Sequence, residues 1–302
     1  MLADQIVDAL NAIFGKQNGH RAVHAKGLVC EGTFRPAPTA ASISRAPHLE
    51  GAPVPLTVRF SAFPGVTEIP DGDPNTTPHG FAMKFQLPGG ASTDIVSHAY
   101  NGFPVSNGEE FLAFARALGA SGASAPNPSP IEVFAAKHAK TQLFLATPKP
   151  IPASFATEPF YGVNAFRFSN REGATCHGRY FIVPLAGVSH LDAADAAARP
   201  PRFLFDELVQ RLARAPVEFR LMLQLAAPGD PVHDGSITWP ADRPQVELGV
   251  ITVATPVADS AAAERTLIFD PTRLVDGIEL SEDPLPLIRS QAYAVSYARR
   301  NP

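Results

Sequence analysis

Two side chains in this sequence are the most able to do chemistry: a histidine near the start and a tyrosine near the end. His24 stands in Arg21-Ala22-Val23-His24-Ala25-Lys26-Gly27, between small apolar residues, at what reads as the start of a strand. An imidazole takes up and returns a proton near neutral pH, which suits it to general acid-base work. Met in isolation, such a histidine is as well explained as a core residue hydrogen-bonded to backbone. Tyr293 follows Arg289 by four residues in a helical stretch, so both side chains lie on one face. A free phenol ionises near pH ~10, and a guanidinium beside it favours the phenolate by charge and by hydrogen bonding. Tyr297 shares that face one turn later but has no arginine four residues before it.

Between these ends come Val58-Arg59-Phe60-Ser61, Pro78-His79-Gly80-Phe81-Ala82-Met83-Lys84-Phe85 and Asn101-Gly102-Phe103-Pro104, and Arg289-Ser290-Gln291-Ala292-Tyr293 closes the series. This ordered set resembles the haem-containing catalases, and more closely the short catalase-related peroxidases built from the catalase core alone. The resemblance runs from about Gly19 to Arg300. It implies a role for each matched residue. His24 is then the distal acid-base, and Ser61 hydrogen-bonds its ring and fixes the tautomer. Asn101 donates to bound peroxide as charge builds on oxygen. By type alone Asn101 suits a turn before Gly102 equally well, and the segment from Asp94 to Asn101 is longer than its catalase counterpart. Tyr293 is the proximal iron ligand, the arrangement general to catalase haem.

The same resemblance makes Arg21, Arg59 and Arg300 partners of the haem propionates, carboxylates that need cations where they are partly buried. Arg299 is an alternative to Arg300. Arg289 supports the proximal tyrosinate, Val23 covers the distal face and Phe114 flanks the haem. Phe63 falls where the larger catalases place a valine. The implied cofactor is haem b, and the implied partners are a peroxide and a small organic electron donor. The implied assembly is a monomer or homodimer, with peroxidase activity and weak oxygen evolution. One rival chemistry on this fold isomerises a fatty-acid hydroperoxide to an allene oxide. Those relatives place threonine before the distal histidine, where this chain has Val23. A haem-binding protein without enzymatic activity needs no distal acid-base, so His24 and Asn101 together with Arg289 and Tyr293 argue against it.

The elements that must position these residues are legible in outline. At 302 residues, with 45% hydrophobic and 18% charged residues, the composition is that of a globular chain. A net charge of -4 and the lack of a Lys/Arg cluster before the last turn exclude a nucleic-acid surface. The two cysteines, Cys30 and Cys176, give no disulfide framework or metal spacing. His98, His138 and His177 lack partners at metal-ligand spacing. Acids early in the first segment argue against a signal peptide, and no stretch has the ~20 apolar residues of a membrane span; the expected location is cytoplasmic.

Thirty-one prolines break the chain into short elements. Strands are expected over 20–35, 54–62, 78–87, 92–97, 163–169, 174–183, 217–225 and 246–255. Helices are expected over 109–118, 131–145, from 193, 202–212 and 285–300, with an N-terminal helix carrying Leu2, Ile6, Ala9, Leu10 and Phe14 on one face. The residues from Gly119 to Pro130 form a loop, as does the Asp230–Asp234 and Trp239-Pro240 region. This order predicts an α+β fold with an antiparallel sheet or barrel. The resemblance sharpens it to an eight-stranded antiparallel β-barrel with surrounding helices. A single haem-binding domain over 1–302 then divides into an N-terminal helix (1–18), a barrel with inserted helices (19–255), and a wrapping segment with the axial-ligand helix (256–302).

Overall fold

Alternation of Val, Phe and Thr with polar or small residues produces ten strands, and every ladder between them is antiparallel in the computed structural model. The structure describes residues 1–301; Pro302, the end of the expected last segment, lies outside the described residues. The strands are β1 (Gly27–Pro36), β2 (Val54–Ser61), β3 (Gly80–Gln86), β4 (Ser92–His98), β5 (Phe160–Tyr161), β6 (Phe166–Ser169), β7 (Thr175–Pro184), β8 (Val217–Leu225), β9 (Gln245–Pro256) and β10 (Ile278–Leu280). Eight of them run in the order β1-β2-β3-β4-β5-β7-β8-β9, and β9 pairs back onto β1. This closed antiparallel barrel leaves no exposed edge. β6 and β10 extend from β7 as a side ribbon.

Nine α-helices among the described residues pack outside: α1 (Leu2–Phe14), α2 (Ala40–Ile43), α3 (Gly108–Gly119), α4 (Pro130–Ala135), α5 (Ala139–Ala146), α6 (Ala193–Ala197), α7 (Phe203–Leu212), α8 (Ser260–Thr266) and α9 (Leu285–Arg300). None is long and apolar enough to cross a membrane. Inside the barrel, Phe60, Phe81, Phe160 and Phe219 are fully buried, and Phe60 stacks on Phe81 at 4.6 Å. Such a pair adds ~0.5–1.5 kcal/mol beyond area burial. A second cluster outside the barrel joins Ile6, Val7 and Leu10 of α1 to Leu112 of α3 and Ala292 of α9.

Register decides which residues leave the barrel core and face these helices. Arg59, Phe60 and Ser61 pair with Ala82, Phe81 and Gly80, and the last three pair with Val96, Ser97 and His98 respectively. Residues directly opposite share a face, and neighbours along a strand alternate. The row Phe60–Phe81 therefore points inward. The rows Arg59–Ala82–Val96 and Ser61–Gly80–His98 point outward and form one patch of wall.

Sequence and structure differ where periodicity is too short to read. The segment 20–26 is irregular, and β1 begins only at Gly27. The single helix expected over 131–145 is two, because the His138 backbone (φ -132°, ψ 89°) leaves the helical region; the His138 ring stacks on Phe134 at 3.9 Å and its Nδ1–H donates to the Phe134 carbonyl. β5, β10, α2 and α8 are additions, of two, three, four and seven residues.

Candidate active site

His24 occupies the irregular segment before β1. Its N–H donates to the Phe63 carbonyl at 2.7 Å, and the next N–H, of Ala25, donates to Pro64 at 3.1 Å. Its φ of 56° is the one positive value at a non-glycine among the described residues. A left-handed backbone costs a residue with a Cβ ~1–2 kcal/mol. The return is orientation: the imidazole folds onto the outward wall, where Ser61 Oγ lies 3.0 Å from its Nδ1. Gly80 makes that approach possible. A Cβ there would come within 2.6 Å of Ser61 Oγ and 3.0 Å of the His24 ring. With Nδ1 engaged, Nε2 is left for chemistry. Burial, reinforced by the charge of Arg59, holds the imidazole well below its usual pKa of 6.5, so it is neutral near pH 7 and able to accept a proton.

A second wall comes from α9. Arg289 Nε donates to Tyr293 Oη at 3.1 Å, as the four-residue spacing requires. Its Nη1 donates to Asn164 Oδ1 at 2.5 Å, and Asn164 Nδ2 donates to Asp283 Oδ2 at 2.8 Å. The other Asp283 oxygen accepts from the Leu285 N–H at 2.9 Å, where α9 begins. Burial raises the Asp283 pKa, against the Asn164 hydrogen bond that lowers it. One chain of contacts thus caps the helix and orients the arginine beside the tyrosine.

At one end the cationic residues converge. Arg21 Nη1 reaches Glu264 Oε2 at 2.5 Å, and Arg59 meets both Glu264 oxygens at 2.8 Å. Arg21 and Arg300 both donate to the Leu267 carbonyl, at 2.7 and 2.8 Å. Burial alone would raise the Glu264 pKa, but Arg59 and Arg21 outweigh it and hold the carboxyl below its usual range. Three guanidiniums and one carboxylate leave two positive charges. Gly27 leaves room for this cluster, since a Cβ there would lie 2.2 Å from Arg59 Nη2.

These parts face one cavity of about 700 Å³ between the barrel wall, α1, α3 and α9. That volume lies within the ~300–1,000 Å³ usual for small-molecule and cofactor sites. His24, Ser61, Arg21, Val23, Arg59, Phe114, Arg289, Tyr293 and Arg300 all line it, as does Phe63, whose ring meets the His24 ring edge-on at 5.7 Å. Tyr297 does not line it; the Arg300 guanidinium lies over its ring at 4.9 Å. Arg299 is also elsewhere, paired with Asp8 on α1 at 2.6 Å.

Asn101 is the exception among the expected site residues. It does not line the cavity; it is half-buried and its carbonyl accepts from Thr238 Oγ1 at 2.7 Å. The physical reason is that β4 ends at His98, and the chain has already turned away by position 101. His98, set aside at the sequence level for want of metal-ligand spacing, lines the cavity instead. The acidic Trp-Pro region is structural, as expected: Asp230 pairs with Arg243 at 2.7 Å, and the Arg179 guanidinium lies 4.2 Å over the Trp239 ring.

Comparison with known proteins agrees with this fold. The catalase family pattern matches residues 2–301. The chain belongs to the catalase family. It is an oxidoreductase acting on peroxide, and the family implies a haem cofactor. It is 36% identical to the catalase-related peroxidase of Mycolicibacterium paratuberculosis, over 98% of this chain and 94% of that one. It is 33% identical to the catalase-related peroxidase of Synechococcus elongatus, over 98% and 88%. Catalase-2 of Caenorhabditis elegans is 26% identical, and there the match spans 59% of the longer protein. A solved fungal catalase superposes with a TM-score of 0.81 at 20% identity, over 98% of this chain and 62% of that one, which shows the shared fold.

The residues present fit a haem. Two surplus positive charges suit two propionates, apolar side chains line the rest of the cavity, and Tyr293, held by Arg289, presents a phenolic oxygen of the type that ligates ferric haem.

Proposed function

We propose that this protein is a haem b peroxidase that reduces hydrogen peroxide or organic hydroperoxides with electrons from a small organic donor, working as a monomer or homodimer. Arg21, Arg59 and Arg300 bind the propionates, and Tyr293 Oη is the proximal ligand, oriented by the Arg289 guanidinium. Bound there, haem supplies the redox chemistry that splits the peroxide bond. His24 Nε2 takes the proton from one peroxide oxygen and returns it to the departing one. Ser61 holds Nδ1, so that Nε2 stays the working nitrogen. The apolar walls from α1 and α3 exclude water and give an organic donor or hydroperoxide somewhere to pack. A single observation carries this reading: a neutral, Ser61-held His24 shares one apolar cavity with the Arg289–Tyr293 pair and the cationic cluster.

The test is the purified protein itself. A ferric haem spectrum of tyrosinate type, extractable haem b, oxidation of a phenolic donor on adding peroxide, and sedimentation as one or two chains are expected. His24→Ala keeps the haem but reacts with peroxide ~10²–10⁴-fold more slowly. Failure to take up haem, or a His24→Ala rate within a few-fold of wild type, contradicts the proposal.

A further inference from the structure

We propose that His98 is the second distal polar residue, its ring N–H donating to the peroxide oxygen, or to an anion bound in its place. The proposal rests on the haem reading above.

Position is the first argument. His98 closes β4 directly opposite Gly80, which lies opposite Ser61 on the next strand. Neighbouring strands lie ~4.8 Å apart, so the row Ser61–Gly80–His98 crosses the wall in two short steps. The His24 imidazole packs over the middle of that row, within 3.0 Å of where a Gly80 Cβ would be. His98 is thus one strand away from the ground beneath His24, on the side not occupied by Ser61.

Its hydrogen bonding is the second argument. Both ring nitrogens of His98 are shielded and make no well-formed hydrogen bond among the described residues, the Tyr100 backbone offering at most a weak one. Leaving a buried polar group unpaired costs ~1–3 kcal/mol, so the orphan needs a reason. His48, His79 and Arg179 also carry unpaired buried nitrogens, but none of them lines the cavity. His79 already has Glu158 at 3.0 Å from Nδ1. His98 alone of this group is among the residues that line the cavity.

Its protonation state completes the complement. Burial, then the positive charges of Arg289 and Lys149, push the His98 pKa down to about 3, against a smaller pull from the Tyr100 backbone. A neutral imidazole has one N–H donor and one acceptor. His24 then supplies the base and His98 supplies a donor aimed at developing negative charge, a division of labour that two charged rings could not achieve. Asn101, which does not line the cavity, takes no part.

The experiment reads anion binding at equilibrium. Fluoride is titrated into the ferric holoprotein at pH 7 and followed by the haem spectrum, for wild type, His98→Leu, His98→Asn and Asn101→Ala. His98→Leu is expected to weaken fluoride ~10–100-fold, as loss of one hydrogen bond to a charged group does. His98→Asn, which keeps an N–H donor, stays within a few-fold, and Asn101→Ala matches wild type. In parallel, His98→Leu slows the peroxide-driven spectral change ~10²–10³-fold. Wild-type fluoride affinity in His98→Leu, or a comparable loss in Asn101→Ala, overturns the proposal. If His98→Leu takes up no haem, His98→Phe serves as the donor-free variant of ring shape. Failure of both to load makes His98 a packing residue and also overturns it. A wild-type protein that binds no haem contradicts the function proposed above instead, so the two failures are distinct.

Discussion

At the scale of single residues, the left-handed backbone of His24, the missing side chain of Gly80 and the Ser61 hydroxyl act together. Gly80→Ala puts a methyl group into the 2.6 Å gap at Ser61 Oγ, so one of the three must move. The variant is expected to fold and take up haem yet react with peroxide at least ~10-fold more slowly in stopped-flow, because a loosened ring loses part of the ~10²–10⁴-fold an aligned base supplies; an unchanged rate contradicts this. Acid should affect this base late. Its working form is neutral, and burial with Arg59 depresses its pKa well below 6.5, so protonation sets in only at correspondingly lower pH. The rate with peroxide is expected to stay level as pH falls through 6.5; a midpoint near 6.5 would show an unshifted imidazole. The sequence displayed His24, Ser61 and the arginines because short motifs frame them. It hid Glu264, Asn164 and Asp283, whose partners are far off along the chain: Glu264 is 243 residues from Arg21, and Asn164 is 125 from Arg289.

At the scale of elements, α9 carries the most consequence. Arg289, Tyr293 and Arg300 all line the cavity, while Tyr297 lies under the Arg300 guanidinium outside it. Tyr293→Phe is expected to lose haem or most of its absorbance and activity, because it removes the hydroxyl on that helix to which Arg289 donates. Tyr297→Phe keeps the wild-type spectrum. The opposite result would move the ligand by one turn. The span of α9 was legible, since its 16 residues give several turns of pattern. β5 was not: its two residues carry no period, yet they bridge β4 to β7 and close the barrel. α8 was missed because its Ser260–Thr266 run buries no residue, so no apolar stripe marks it. Strands β2, β3, β8 and β9 were read to within two residues, because their inward side alternates over seven or more positions.

At the scale of the whole molecule, buried neutral histidines tie stability to pH. His48 is 1% exposed among core rings, 4.6 Å from the Phe85 ring, and burial pushes its pKa down to about 3. Above pH ~6.5 the ring is neutral in both folded and unfolded chains and adds no pH dependence. As pH falls from there toward about 3, the unfolded chain binds a proton that the folded one refuses, so stability drops by ~1.4 kcal/mol per pH unit for this group. His48→Phe is therefore expected to flatten the decline of urea-unfolding free energy of the haem-free protein between pH 6 and 4 by about that slope. An unaltered slope would mean that His48 titrates normally when folded.

The barrel wall has a consequence for how this protein tolerates change. One alternating ladder writes two messages: odd positions of β3 such as Phe81 and Met83 fill the core, while Gly80 and Ala82 leave the outer side shallow. Both are read in the same frame. A single inserted or deleted residue upstream in that strand would exchange them, turning benzyl and thioether groups into the space meant for a flat cofactor and leaving voids inside. Core and catalytic surface are here a single inheritance. Drift in strand length is closed to this chain, and novelty is confined to the connecting segments and the helices beyond them.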